Sequence, residues 1–248
     1  MDVVTSTITT NNELLVEECN VECKDISYKR QFQTCDIEGY LYRLERRYVY
    51  RFIKRVFDIV FSGFVLVFFS WLYLLTAIAI KIDDPEGPVI FIQDRVGKNG
   101  KIFKMYKFRS MYADAEDRLA ELKKYNEKDG PAFKMKNDPR ITPVGKFIRK
   151  TSIDEMPQFV NVLKGDISIV GPRPALPDEV EQYTNYQKYR IAVKPGITCY
   201  WQTRRNRDNI TFDEWVDLDI LYIKQAGLWS DIKLILQTIG VVLTAQGT

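Results

Sequence analysis

Ile59 to Ile80 reads IVFSGFVLVFFSWLYLLTAIAI, 22 residues without a charged side chain. As a helix it would be about 33 Å long, the thickness of a bilayer core. A long polar stretch precedes it, so it is not an ordinary secretory signal. The alternative is a buried core helix, but such helices rarely stay uncharged for so long. The flanks carry a further constraint. Arg43, Arg46, Arg47, Arg51, Lys54 and Arg55 lie before the segment; Lys81, Arg95, Lys98, Lys101, Lys104, Lys107 and Arg109 lie after it. Basic flanks favour the cytoplasmic side, and a single spanning helix cannot put both there. A re-entrant helical hairpin can, with Ser70 at its bend. Asp58 is expected to pair with Arg55 at the entry.

The remainder reads as an α+β chain, mostly helical. Val89–Gln93 and Ile102–Phe108, joined through Gly97–Gly100, predict a small β-hairpin. Helices are expected over Ser110–Lys128, within Asn137–Lys150 after an opening turn, over Pro177–Arg190, over Phe212–Gln225 and over Ser230–Leu243. Val193–Gln202 reads as turn and strand. In the last helix Ile232, Ile235, Leu236, Ile239, Val242 and Leu243 form one apolar stripe, a pattern typical of core. Trp201, Trp215 and Trp229 lean this region toward a membrane interface. The expected organisation is a polar, loose or weakly helical tail (1–42), a membrane-associated re-entrant helix (43–82) and a catalytic domain (83–248).

The chain holds no histidine, which removes Ser-His-Asp and Cys-His catalysis and His-ligated zinc. A net charge of +3 does not point to nucleic acid. Cys19, Cys23, Cys35 and Cys199 read as free thiols of a reducing compartment, and zinc or redox pairing of Cys19 with Cys23 is disfavoured. A catalyst built from this chain therefore relies on carboxylates, Lys, Tyr, Cys or a metal.

Asp154 and Glu155 draw attention within RKTSIDEMPQFVNVLKGDISIVGPRP (Arg149–Pro174). Ser152-x-x-Glu155 fits a capping box, which explains both acids without chemistry. Pro157 argues for a later helix start, with Asp154 at an exposed mouth. Adjacent acids diverge, so one can attack while the other holds a divalent ion. Lys107, Arg109, Arg149 and Arg173 are cations near turns, suited as a set to a diphosphate, although each alone reads more readily as a solvated charge.

From about Lys54 onward the chain resembles the bacterial sugar transferases, the monotopic phosphoglycosyl transferases. The matching pieces are KRVFDIV, GPVIFIQDRVGKNGKIFKMYKFRSM, DPRITPVGKFIRKTSIDEMPQFVNVLKGDISIVGPRP, KPGIT and LDILYI, in fixed order. The resemblance implies an enzyme of the bacterial inner membrane with a re-entrant helix and a cytoplasmic active site. It implies Asp154 as nucleophile on a UDP-sugar, release of UMP, and transfer of the phosphosugar to polyprenyl (undecaprenyl) phosphate. It implies Mg2+ or Mn2+ near Glu155 and Asp154, and a role at the start of exopolysaccharide, capsule or glycoconjugate synthesis. Lys107, Arg109, Arg149 and Arg173 are then expected to bind substrate phosphates. A homo-oligomer is compatible with all of this. Relatives commonly carry Ser-Pro at the membrane break, where this chain has Ser70-Trp71, and a small pair after KPGIT, where it has Cys199-Tyr200. Arg204, Arg205 and Arg207 read equally as ligand contacts and as a solvated loop. The chain resembles the short form of the family. Two rivals stay open: a membrane-bound glycosyltransferase that releases UDP, and a non-catalytic membrane-anchored scaffold.

Overall fold

A computed structural model of the protein describes residues 26–127, 130, 131, 133, 135, 137–204 and 210–244. Cys19, Cys23, Arg205 and Arg207 lie outside them. Three helices open the described chain: α1 (Ile26–Arg46), α2 (Tyr48–Phe68) and α3 (Ser70–Asp83). The segment expected to be loose or weakly helical is thus helical from Ile26, and the expected boundary at residue 42 falls inside α1. Ile37 explains why α1 is held: it is fully buried against Val216, Ile220 and Ile223.

Among the described residues no single helix is long and apolar enough to cross a membrane, but α2 and α3 together are. They are bent by 60° at Phe69, a bend rather than a tight hairpin. No proline causes it. Tyr73 Oη donates to the Met156 carbonyl at 2.7 Å and its ring lies 5.4 Å from that of Phe108, so docking sets the direction of α3. Ile80 closes the arm against Phe108 and Ile148.

Asp58 does not pair with Arg55. Its carboxylate accepts from Ser168 Oγ and the Ile169 N–H, both at 3.1 Å, while Arg55 donates to the Val162 and Leu163 carbonyls at 2.6 and 2.8 Å. Both residues tie α2 to the body of the protein, because a buried carboxylate needs donors and the end of a helix leaves carbonyls unsatisfied. Asp58→Ala strips two buried donors of their acceptor. It is expected to lower stability by about 2 kcal/mol or more, read by thermal unfolding in detergent.

The hairpin forms as expected, with β1 (Ile90–Val96) longer than foreseen and antiparallel to β2 (Ile102–Phe108), Ile90 opposite Phe108 and Val96 opposite Ile102. Asn99 and Gly100 take the positive φ that its tight end requires. A helix follows at α4 (Pro143–Lys150), then α5 (Gln158–Lys164), then a strand that the sequence did not disclose, β3 (Ser168–Val170), parallel to β4 (Gly196–Thr198). Gly171 and Gly196 meet where these strands lie side by side: a Cβ on Gly196 would lie 2.2 Å from the Gly171 nitrogen. The two glycines are what allow the GPRP and KPGIT turns to touch.

Three expectations are corrected. Ser110–Lys128 is not one helix; among its described residues only short helical turns form, at Leu119–Leu122 and Lys123–Tyr125. Its start is captured by other segments, as the Ala113 N–H donates to Asp84 and the Tyr112 N–H to the Arg140 carbonyl. Pro177–Arg190 breaks after α6 (Pro177–Glu181) because Thr184 caps a fresh turn at Asn185–Lys188. Helices α7 (Phe212–Gln225) and α8 (Leu228–Leu243) form as expected. The α8 stripe, however, is not core: Ile232, Leu236, Ile239 and Val242 are exposed, and Leu234 is the fully buried residue. Of the three tryptophans, Trp229 alone is exposed, whereas Trp215 is buried with its ring 4.4 Å from that of Trp201.

Candidate active site

The local sequence builds the acid pair a rigid stand. Thr142 caps α4 by accepting from the Gly145 N–H at 2.9 Å, Pro143 fits the first helical position, and Asp83 accepts from the Val144 N–H. At the end of α4 Ser152 adopts a left-handed conformation (φ 58°), which turns the chain into a short 3-10 helix over Ile153–Glu155. Pro157 then leads into α5. The capping box does not form, since the Ser152 side chain makes no cap hydrogen bond. Glu155 is thereby released from helix duty, and Lys107 Nζ lies 2.8 Å from its carboxylate.

Asp154 is buried rather than exposed at a mouth, with 8% of its surface accessible. Burial pushes its carboxyl up to about 6, with Glu155 adding to the rise and Lys107 and Arg149 opposing it. Lys107 sits on the β2 face that carries Phe103 and Met105, both buried. Asn161, fully buried, fixes α5 to β2: it accepts from the Tyr106 N–H at 3.0 Å and donates to the Lys104 carbonyl at 2.7 Å. This bolt holds the dyad beside Lys107, and residue type alone gave no sign of it.

Arg95, which sequence reasoning passed over, belongs to the same region. Its guanidinium is buried, donating to Gln93 Oε1 and to the Pro174 carbonyl at 3.0 Å. Burial and then Arg173 lower it to about 9, while Glu179 and Glu155 pull the other way. Arg173 lies 5.5 Å over the Trp215 ring and 6.0 Å over that of Trp201. Arg95 thus bridges the field between the dyad and the GPRP turn. The signal for Arg95 was present in the hairpin, but a charged residue in a strand reads as solvent-facing until the partner layer is known.

Of the sequence candidates, Asp154, Glu155, Lys107 and Arg149 come together, whereas Arg173 lies over the Trp215 and Trp201 rings, near enough to Arg95 to lower its proton affinity. Arg109 is engaged elsewhere: it is buried and faces Asp84 at the end of α3, donating to the Asp84 carbonyl, with its other terminal nitrogen 3.4 Å from that carboxylate. Gly87 is required there, since a Cβ would overlap the guanidinium. Among the described residues no group of three or more His, Cys, Asp or Glu side chains could hold a metal. An ion of the magnesium type takes one or two carboxylates, keeps waters and completes its shell with substrate phosphates, so Asp154 and Glu155 are the carboxylates that would hold one.

The bacterial sugar transferase profile matches residues 49–245. The galactosyl transferase CpsE of Streptococcus agalactiae serotype III (strain NEM316) is 50% identical over 202 residues, 81% of this chain and 44% of that protein. The undecaprenyl-phosphate galactose phosphotransferase of Salmonella typhimurium (strain LT2) is 46% identical over 204 residues, 79% of this chain and 42% of its own. The exopolysaccharide production protein ExoY of Rhizobium meliloti (strain 1021) is 35% identical over 199 residues, 79% of this chain and 87% of that protein. The chain thus spans less than half the length of the first two relatives and most of the third. The matched span contains the dyad, the hairpin with Lys107 and Arg95, and both glycine turns, so the geometry described above lies inside the shared sequence: the chain belongs to the bacterial sugar transferase family.

Proposed function

We propose that the chain transfers a sugar 1-phosphate from a UDP-sugar to polyprenyl phosphate, as the first step of a surface polysaccharide or glycoconjugate. The observation that carries this is a buried Asp154 beside a Glu155 held by Lys107, within a span shared with a relative named as an undecaprenyl-phosphate galactose phosphotransferase. In the first step an Asp154 oxygen attacks the sugar-bearing phosphorus. The bond from that phosphorus to the bridging oxygen breaks, and UMP leaves with the electron pair. In the second step a phosphate oxygen of the polyprenyl phosphate attacks the same phosphorus and frees the carboxylate. Splitting one displacement into two is covalent catalysis, and it needs no imidazole. Lys107 and Arg149 lower the carboxyl's proton affinity and face the incoming phosphates; Arg173 receives the far end of the diphosphate. Glu155 and Asp154 would hold a magnesium or manganese ion, which supplies positive charge to the diphosphate.

The same reading puts α2 and α3 into the bilayer as a re-entrant element, with the site on the cytoplasmic face. Val60, Phe64, Val67, Phe68, Trp71 and Leu74 turn outward uncovered. Both flanks rest on one body: Glu45 pairs with Lys98 at 2.9 Å across the whole apolar segment. The exposed row on α8 suits an interfacial helix.

The test is nucleotide release from membranes given UDP-sugars, undecaprenyl phosphate and magnesium, with UDP-galactose tried first. UMP is expected, and chelation should stop it. UDP would mean that the sugar alone moves, and neither nucleotide would leave a scaffold. The pH profile gives a second check. Activity of wild type is expected to fall as pH drops through about 6, where Asp154 takes up its proton. Lys107→Gln removes the strongest opposing charge, so its acid limb should move to higher pH and kcat should drop. An unmoved limb would separate Lys107 from the carboxyl that titrates.

A further inference from the structure

At the far end of α5 from the dyad lies a cavity of about 600 Å³ between α1, α2, β3 and the segment before β4. Its lining is unbalanced in charge. Arg51, Lys54, Arg55, Lys98 and Lys194 contribute cations against Glu45 and Asp58. Neither carboxylate is available, as Glu45 is taken by Lys98 and Asp58 by Ser168 and the Ile169 N–H. Lys54 is matched by Asp231 at 2.8 Å. Among the described residues the Arg51 side chain donates to the Glu45 carbonyl alone, and Lys194 has no acceptor. Lys194 is half-buried; burial, with Arg55 and Arg51 adding to it, holds its ammonium below the ordinary range, while Asp58 and Asp166 oppose. Like charges gathered around a desolvated ammonium make a site that an anion stabilises.

The lining also holds apolar side chains, Leu44, Phe52, Val193 and Ala226 among them, together with Ser168 and three tyrosines. Tyr48 and Phe52, on the α2 side of the lining, are themselves exposed on the arm that leads into the apolar segment. Cations and apolar side chains lining the same cavity suit a molecule with a phosphate and an acyl chain. The dyad precedes the first residue of α5, whereas Arg55 grips the Val162 and Leu163 carbonyls at its last turn. The helix is about 10 Å long, so a phosphate in this cavity does not reach Asp154.

We propose that this cavity binds the headgroup of an anionic phosphoglycerolipid, with the phosphodiester on Arg51 and Lys194 and one acyl chain running along α2. The proposal rests on the membrane reading above. It does not use the catalytic residues.

The test uses the full chain. Vesicle flotation on phosphatidylcholine, with and without phosphatidylglycerol, establishes membrane binding. Native mass spectrometry from detergent then counts phosphatidylglycerol retained against phosphatidylcholine. One phosphatidylglycerol is expected to stay bound. Arg51→Gln and Lys194→Met should each reduce its retention about fivefold, the effect of one cation at a lipid surface. Lys188→Gln, an equal charge change on an exposed helix elsewhere, should not. Arg51 is exposed, so its variant folds even if Lys194→Met does not. Equal retention in Arg51→Gln and wild type overturns the site, as does equal retention of the two lipids. Displacement by excess inorganic phosphate would make it a free-phosphate site, and displacement by undecaprenyl phosphate an acceptor site; either overturns the proposal. A chain that floats without lipid preference fails here alone, whereas a chain that floats with neither vesicle fails the membrane reading too.

Discussion

Asp154→Asn is expected to reduce phosphosugar transfer by on the order of 10⁴-fold and, at pH 7, to make the protein more stable than wild type. The two effects have one cause. The fold holds the carboxyl near 6, above its ordinary 3.8, so the folded state prefers the protonated acid. Below pH 3.8 this group costs the fold nothing. Between there and about 6 the unfolded chain releases a proton that the folded chain retains, and stability falls as pH rises. Above 6 the full cost is present, about 3 kcal/mol for a shift of this size. Asparagine carries no charge and avoids it. Chemical denaturation of wild type and variant at pH 4 and pH 7 should therefore show curves that separate at the higher pH only. A variant that is inactive and also less stable at pH 7 would point to a structural acid. A variant that turns over normally would remove Asp154 from the chemistry.

Arg190→Leu should behave in the opposite way, losing about 3–5 kcal/mol at neutral pH. Arg190 is buried, with its terminal nitrogen 2.7 Å from the Asp219 carboxylate, which is fully buried too. It also donates to Tyr183 Oη at 2.8 Å and lies 4.9 Å over the Trp215 ring. Removing the guanidinium leaves a buried carboxylate with no counter-charge. Arg190→Leu with Asp219→Leu should recover most of the loss, because replacing both partners removes the orphaned charge. Thermal unfolding of the single and double variants measures this; a double variant no better than the single would show that packing on the aromatic rings matters more than charge. The cluster also supports the site, since Arg173 too lies over the Trp215 ring, at 5.5 Å. Loss of Arg190 should therefore raise KM for the nucleotide sugar as well.

The apolar length of Ile59–Ile80, the alternating hairpin, the helix running up to Lys150 and the terminal pair of helices were all legible as pattern, because each depends on residues within a few positions of one another. Gly171 and Gly196 were legible only as turns; that they meet is a fact of two strands 25 residues apart in sequence. The helix expected over Ser110–Lys128 failed for a related reason. Its composition favours a helix, but Asp84 and Arg140 offer its backbone partners from outside, and local propensity is weaker than several tertiary hydrogen bonds.

The dyad divides in the same way. Sequence alone determined that the chain has no histidine, that two acids stand together after basic residues, and that an apolar segment has basic residues on both sides. It could not determine which acid is buried, because Ser152-x-x-Glu155 satisfies a cap as well as it satisfies a site. Tertiary structure decided that by turning Ser152 left-handed and handing Glu155 to Lys107 from another layer. It turned Arg109 toward Asp84, brought Arg95 inward, and bent the apolar segment without a proline by fastening Tyr73 to Met156. In each case the deciding partner lies far along the chain. Burial and charge are properties of what surrounds a side chain, and that neighbourhood exists only once the layers have packed.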